Sequence, residues 1–217
     1  METVQAGQVD ELLDANLPED DVLQQIRQDS HAAGLPTIEV SVQQGRLLNL
    51  LASIAGAQHI LEVGTLGGYS TVCLARALPD DGSMITLEYE LDHAAVAKKN
   101  LELAEVSHKV SILVGPAAKT LPALQDRIKY RVMQPFDFVF IDADKESNQE
   151  YTQWAIALTQ PGATIVIDNV IRDGRVLTVA DKQEYIEYLG ANPRIQVSVI
   201  QTVGDKGWDG FVVCRRV

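Results

Sequence analysis

Five short apolar runs, at residues 59–63, 83–88, 110–114, 136–141 and 163–167, alternate with stretches of helical spacing about ten to fifteen residues long. That alternation predicts a parallel sheet joined by crossover helices. The pattern changes at both ends. Before it, after a polar start, Pro18 is followed by Glu19, Asp20 and Asp21, acids that suit the positive end of a helix dipole, and Gly34-Leu35-Pro36 supplies a stop. A first helix is therefore expected over about 18–33. Leu47, Leu48, Leu50, Leu51 and Ile54 then recur at helical spacing ahead of Gly56, which predicts a second helix over 43–55. At the other end, strand-like runs at 195–202 and 208–215 flank Val203-Gly204-Asp205-Lys206-Gly207 and read as a hairpin. No repeat or composition break divides the chain. One domain is expected, with a helical segment at 1–57 and an α/β core at 58–217.

Composition narrows the partners. The chain has 217 residues, 46% of them hydrophobic and 22% charged, enough for one sizeable core and ordinary for a globular protein. Its net charge of -12 repels phosphate backbones and anionic membranes, so a neutral or cationic small ligand is expected, with no nucleic-acid or membrane partner. Asp10, Glu11, Asp14, Glu19, Asp20 and Asp21 are expected to form a solvated face. Cys73 and Cys214 lie in apolar runs and read as buried thiols of a reducing compartment. The acidic N-terminus lacks the order of a signal peptide, and no run of 18 apolar residues occurs. The cytoplasm is the expected location.

Residues 60–70 read Ile-Leu-Glu-Val-Gly-Thr-Leu-Gly-Gly-Tyr-Ser, a strand leading through a glycine turn into a helix. Glycines allow the backbone to approach a ligand, and the helix start offers unpaired amide donors beside it. The spacing of Gly64, Gly67 and Gly68 departs from the GxGxxG pyrophosphate fingerprint, which weighs against a dinucleotide. Glu88 ends the next strand, where a carboxylate can accept both ribose hydroxyls of an adenosine, and Glu62 is placed to face the charged amino-acid end of such a ligand. A plain tight turn with a capping Glu88 accounts for these residues equally well.

The run 138–145 is an apolar strand that ends in Asp142, Asp144 and Lys145, and 165–169 ends likewise in Asp168 and Asn169. Ligands collect outside the carboxyl ends of open α/β sheets, so Asp142, Asp168 and Asn169 are expected to converge near the glycine turn. Three hard oxygen donors suit Mg²⁺ or another hard divalent ion. Asp144 is expected on the face opposite Asp142 and is as readily a surface residue. For Lys145, a neighbouring dication and partial burial disfavour the ammonium form, which suits a general base, although an exposed turn lysine is the plain alternative.

Taken together, LEVGTLGGYST at 61–71, ITLE at 85–88, FDFVFIDADK at 136–145 and IVIDNVIRDGRV at 165–176 resemble the catechol and caffeoyl-CoA O-methyltransferases, the cation-dependent group of S-adenosylmethionine enzymes. The resemblance runs from about Thr37 to the C-terminus. It implies a Rossmann-like class I methyltransferase fold: a mostly parallel seven-stranded sheet with a C-terminal antiparallel hairpin and extra N-terminal helices. It implies S-adenosylmethionine as cofactor, held by Val40, Glu62, Gly64, Ser70 and Asp142, with Glu88 on the ribose and Ala117 near the adenine. It implies Asp142, Asp168 and Asn169 as ligands of Mg²⁺ (or Mn²⁺ or Ca²⁺), Asp142 and Lys145 as the catalytic pair with Lys145 the base, a small phenolic or catechol acceptor, and a homodimer. Pro116 departs from the related Gly-Asp-Ala pattern, and Asp144 and Asp173 replace apolar residues of the animal catechol enzyme's acceptor gate. That enzyme's substrate-orienting glutamate has no counterpart in 204–210. The Asp142-x-Asp144 strand end also resembles haloacid-dehalogenase-type phosphatases, and a non-catalytic adenosylmethionine-binding module is the other alternative. Trp208 and Phe211 fit either an acceptor pocket or the core.

Overall fold

The computed structural model describes the backbone of residues 3–217 and the side chains from residue 6 onward. Seven strands form one sheet: β1 (His59–Val63), β2 (Ser83–Glu88), β3 (Val110–Val114), β4 (Phe136–Ile141), β5 (Thr159–Ile167), β6 (Ile195–Gly204) and β7 (Gly207–Arg216). Their order is β3-β2-β1-β4-β5-β7-β6, with β1 to β5 parallel and β7 antiparallel to both β5 and β6. The helices among the described residues are α1 (Thr3–Asn16), α2 (Asp21–Ala32), α3 (Val42–Ala55), α4 (Tyr69–Ala75), α5 (Leu91–Leu103), α6 (Ala117–Lys129), α7 (Asn148–Leu158) and α8 (Ala180–Ala191).

Strand alternation divides the apolar side chains between two layers. Leu61, Val63, Val139, Ile141, Ile165 and Ile167 pack against α6, α7 and α8, while Ile60, Phe138, Phe140 and Val166 pack against α2, α3 and α4. Burial of each such side chain contributes roughly 1.5–3 kcal/mol, so both faces hold the central strands. Strands covered on both faces appear in sequence as the uninterrupted apolar runs seen here. The strand order reverses between β1 and β4, which opens a crevice at their carboxyl ends.

Backbone bonds carry the ladder one residue past each strand. Gly115 N donates to Glu88 O (2.8 Å), Gly64 N to Leu87 O (3.0 Å), Asp142 N to Val63 O (2.9 Å) and Asp168 N to Ile141 O (3.0 Å). The chemically distinctive residues of neighbouring strands are thereby set side by side.

The expected helices at 18–33 and 43–55 are α2 and α3. Asp20 caps α2 by accepting from Leu23 N at 3.2 Å, and α3 opens with a capping box between Ser41 and Gln44. The polar start, in contrast, forms α1. Its Val9 and Leu12 stay 52% and 63% exposed, so no apolar stripe marks it in the sequence. Tertiary contacts hold it: α1 lies on β6, Asp205 N donates to Asp10 Oδ2 at 2.7 Å, and Gln43 Nε2 donates to Asp14 Oδ1 at 3.2 Å. Asp14 stays exposed, as expected of a solvated face, while Asp10 is half-buried against the β6–β7 turn. β5 begins at Thr159, four residues ahead of the expected run, and the hairpin closes over Asp205 and Lys206 alone. None of the described helices is long and apolar enough to cross a membrane.

Candidate active site

A cavity of about 790 Å³ opens at the carboxyl ends of β1, β2 and β4. Val40, Gly64, Ser70, Glu88, Ala117, Asp142, Lys145 and Asn169 all line it, so most of the residues singled out from the sequence meet in one place. Glu62 and Asp168 stand just outside the wall.

The glycine turn is shaped by its neighbours. Gly64 has φ 102°, and a Cβ there would lie 2.1 Å from Asp142 O, so only glycine lets the first strand end sit against the fourth. A Cβ on Gly67 would lie 2.1 Å from Ser30 Oγ, a side-chain atom, so that position is confined by packing alone. Leu66 adopts φ 49°, a left-handed conformation costly for a side-chain-bearing residue. Glu88 holds it there: Oε2 accepts from Thr65 N (3.2 Å) and Leu66 N (2.7 Å), and Oε1 accepts from Glu90 N (2.9 Å). A carboxylate offers about four lone-pair directions, so capacity remains for a ligand hydroxyl.

Glu62 does not face the cavity as expected. It is fully buried behind the turn, because β1 alternation points it into the α3–α4 layer, and it accepts from Ser70 Oγ (2.6 Å), Thr71 Oγ1 (2.5 Å) and Thr86 Oγ1 (2.7 Å). Burial pushes its carboxyl up to about 7 although those three hydroxyls pull it down. Glu62 thus positions Ser70, which does reach the cavity.

At the opposite wall Lys145 Nζ donates to Asp142 Oδ1 at 2.5 Å. Asp168 is 4% exposed, and burial and then the charge of Asp142 raise its carboxyl above the ordinary range. Asp168 Oδ1 accepts from Asn169 N at 2.7 Å, and Asn169 takes a left-handed φ of 59° that turns it towards the cavity. Among the described residues no cluster of three or more His, Cys, Asp or Glu could hold a metal. The candidate set is two carboxylates and a carboxamide. Its chemistry fits a hard divalent ion, since two acids, one of them buried and destabilised by the other, call for positive charge between them.

Asp144 is corrected from its expected position. It lines the same cavity as Asp142, because residues two apart share a strand face and the strand itself ends at Ile141. Burial acts to raise its carboxyl, but hydrogen bonds from Ser147 and Tyr151 outweigh it and leave Asp144 below its ordinary value. Phe211 is buried in the core, and neither it nor Trp208 lines the main cavity. Pro116 is the N-cap of α6 and makes no side-chain cap bond, and Ala117 and Ala118 of the first turn line the cavity.

Arg27, Glu39 and Tyr69 also line the cavity, in a cluster that the sequence does not announce. Arg27 on α2 pairs with Glu19 (3.1 Å) and Glu39 (3.7 Å) and lies over the Tyr69 ring at 4.7 Å. Tyr69 Oη donates to Glu19, and Lys206 Nζ donates to Glu39 O. Glu19, expected in solvent, is thus a half-buried anchor. No local pattern announces these contacts, which join α2, the segment before α3 and the β6–β7 turn.

A strand order that reverses beside β1, with a glycine turn there and an acid at the end of β2, forms a crevice suited to an adenosine-containing ligand. Comparison with known proteins agrees. The family model described as O-methyltransferase matches residues 13–217. The chain belongs to that family. A catechol O-methyltransferase of Mycobacterium tuberculosis is 48% identical over 212 residues, 94% of this chain and 93% of the relative. The O-methyltransferase TomG of Streptomyces achromogenes, involved in tomaymycin synthesis and solved with S-adenosylmethionine, superposes with a TM-score of 0.93 at 40% identity, over 100% of this chain and 99% of that one. A Bacillus cereus O-methyltransferase solved with S-adenosylhomocysteine gives 0.92 at 40% identity over 100% of both chains. Membership in this family leaves the phosphatase reading of Asp142-x-Asp144 without support.

Proposed function

We propose that the protein transfers the methyl group of S-adenosylmethionine to a hydroxyl of a catechol-like or other phenolic acceptor, with Mg²⁺ or another divalent cation such as Mn²⁺ or Ca²⁺ at Asp142, Asp168 and Asn169. The observation that carries this reading is the meeting of Lys145, Asp142 and Asn169 with Gly64, Ser70 and Glu88 in one cavity. Acceptor chemistry and cofactor cradle share a wall.

In this reading the cofactor's methionine end lies along Val40, Gly64, Ser70 and Asp142, with Glu62 holding the Ser70 hydroxyl from behind. Glu88 accepts the ribose hydroxyls, and the adenine lies against Ala117. With Lys145 in its neutral amine form, the acceptor hydroxyl gives its proton to Nζ and its oxygen attacks the sulfonium methyl in line. The C–S bond breaks, and neutral S-adenosylhomocysteine leaves. A bound divalent cation would supply Lewis acidity to the acceptor oxygen and would compete with Lys145 for Asp142, leaving Nζ free to turn to the acceptor.

Residues 1–217 act as a single domain in this proposal, in the cytoplasm. A homodimer is part of it, supported by the exposed Leu50 and Ile54 on α3 and Val199, Ile200 and Val203 on β6. Incubating the protein with labelled cofactor, Mg²⁺ and a panel of catechols, flavonoids and phenolic thioesters, then weighing the products, tests the reaction. A mass gain of one methyl group that stops in excess chelator and returns with Mg²⁺ is expected. Undiminished transfer in excess chelator would remove the cation from the reading, and no transfer to any acceptor would remove the reaction.

A further inference from the structure

Four carboxylates line the cavity, and each has a partner. Glu39 is paired with Arg27 and His31, Asp142 with Lys145, and Glu88 with its backbone amides and His93. Asp144 accepts from Tyr151 Oη at 2.5 Å. Of the cavity's cations, Arg27 and Lys145 are used in these pairs. Arg172 is the exception: it lines the same cavity, and its guanidinium has no carboxylate within ion-pair distance and no side-chain hydrogen bond among the described residues.

The backbone that carries Arg172 is constrained. Arg172 and Asp173 both take φ 51°, a left-handed conformation that side-chain-bearing residues rarely adopt. Strand β7 enforces it. Asp209 Oδ1 accepts from Ile171 N (3.1 Å) and Arg172 N (3.0 Å), Val170 N donates to Gly210 O (3.0 Å), and Asp173 N donates to Trp208 O (2.7 Å). Val170 and Ile171 are buried on either side of this clamp. A strained loop held from a neighbouring strand fixes where the guanidinium starts. Arg172 follows Asn169 by three residues, a backbone span of at most ~11 Å, and both residues line the same cavity.

We infer that Arg172 binds a carboxylate on the acceptor, so that the preferred substrates are catechols with an acidic side chain. A planar guanidinium with no internal partner matches a carboxylate through two parallel hydrogen bonds. The chain's net charge of -12 does not oppose this, because exposed charges beyond about 8–10 Å are screened while a partly enclosed contact is not. The inference rests on the methyl-transfer reading above and names the acceptor class for it.

The test is the selectivity ratio: kcat/KM for 3,4-dihydroxybenzoate or 3,4-dihydroxycinnamate over kcat/KM for unsubstituted catechol, with S-adenosylhomocysteine affinity measured alongside. Arg172→Met should lower that ratio roughly ten- to a hundredfold, mainly through KM of the acidic acceptor, which is the range for loss of a charged hydrogen bond. Arg172→Lys keeps the charge without the fork and should recover part of it, and it serves as the measurement if the Met variant does not fold. Arg172→Glu should turn preference towards a catechol carrying an amine. A ratio that does not move in any variant overturns the inference while leaving methyl transfer intact. So does a loss that follows weakened S-adenosylhomocysteine binding, since Arg172 would then read the cofactor's own carboxylate. Absence of transfer to every acceptor by the wild-type protein sinks the underlying reading instead.

Discussion

Glu88 Oε2 accepts the amide of Leu66 at 2.7 Å, and through that bond the end of β2 holds the glycine turn in its left-handed shape. The carboxylate therefore has two tasks, shaping the turn and receiving the ribose in the proposed complex. Glu88→Gln keeps the size but gives one of the two positions an NH₂ facing amide donors. We expect S-adenosylhomocysteine affinity to fall at least about tenfold and stability to drop by about 1–3 kcal/mol. Calorimetric titration and urea unfolding read these two effects. Wild-type affinity in the variant would leave Glu88 with the turn alone.

Gly64 makes a sharper case. A methyl group there has 2.1 Å to Asp142 O, a backbone atom that cannot move without disturbing β4 and the acid it presents. Gly64→Ala should cost more than about 2 kcal/mol through backbone strain and overpacking. Cofactor binding should be lost as well, since the turn and Asp142 shift together. A melting midpoint and cofactor affinity equal to wild type would show that the two strand ends have slack that their spacing denies.

Much of this arrangement was legible beforehand because central parallel strands are buried on both faces and stand out as apolar runs. Gly64, Glu88, Asp142 and Asn169 each interrupt or end such a run, so their convergence follows from the topology once the sheet is parallel. What escaped notice depends on contacts distant in sequence. Helix α1 has no apolar stripe and is held by Asp10 reaching Asp205, and Glu19 is half-buried only because Arg27 and Tyr69 close over it. Glu62 shows a different failure. Its alternation along β1 sends it into the helix layer, yet a carboxylate in an apolar strand invites a ligand role, and only the hydroxyls of Ser70, Thr71 and Thr86 explain why it is tolerated there.

The buried Glu62 also has a pH signature. Its folded value of about 7 lies above the ordinary 4.5, so the folded state binds the proton more tightly than the unfolded chain. Stability from this group is greatest below about pH 4.5, declines as pH rises towards 7 and then levels off, with a total effect of at most ~3 kcal/mol. Glu62→Gln has no such proton, and its amide still meets three hydroxyls able to reorient. The difference in unfolding free energy between variant and wild type should therefore move in the variant's favour between pH 5 and pH 8. A difference that stays constant with pH, or moves the other way, rules out a proton held on Glu62.

Asp168 offers the corresponding test at the proposed cation site. Its carboxyl is almost wholly buried near Asp142, two negative groups whose proximity costs the folded protein unless positive charge lies between them. Binding of a divalent ion to the folded state alone stabilises it by RT ln(1 + [L]/Kd), about 2.7 kcal/mol at a hundred times Kd. Mg²⁺ should thus raise the melting midpoint of the wild-type protein in the absence of cofactor and acceptor. Asp168→Asn keeps the shape and removes one of the opposed charges, so without metal it should be at least as stable as wild type. It should also respond far less to Mg²⁺ and lose methyl transfer. Thermal melts of both proteins across a Mg²⁺ series, with a monovalent salt series to subtract ionic strength, distinguish the cases. Equal Mg²⁺ stabilisation of the two would take Asp168 out of the ligand set, whatever the activity of the variant.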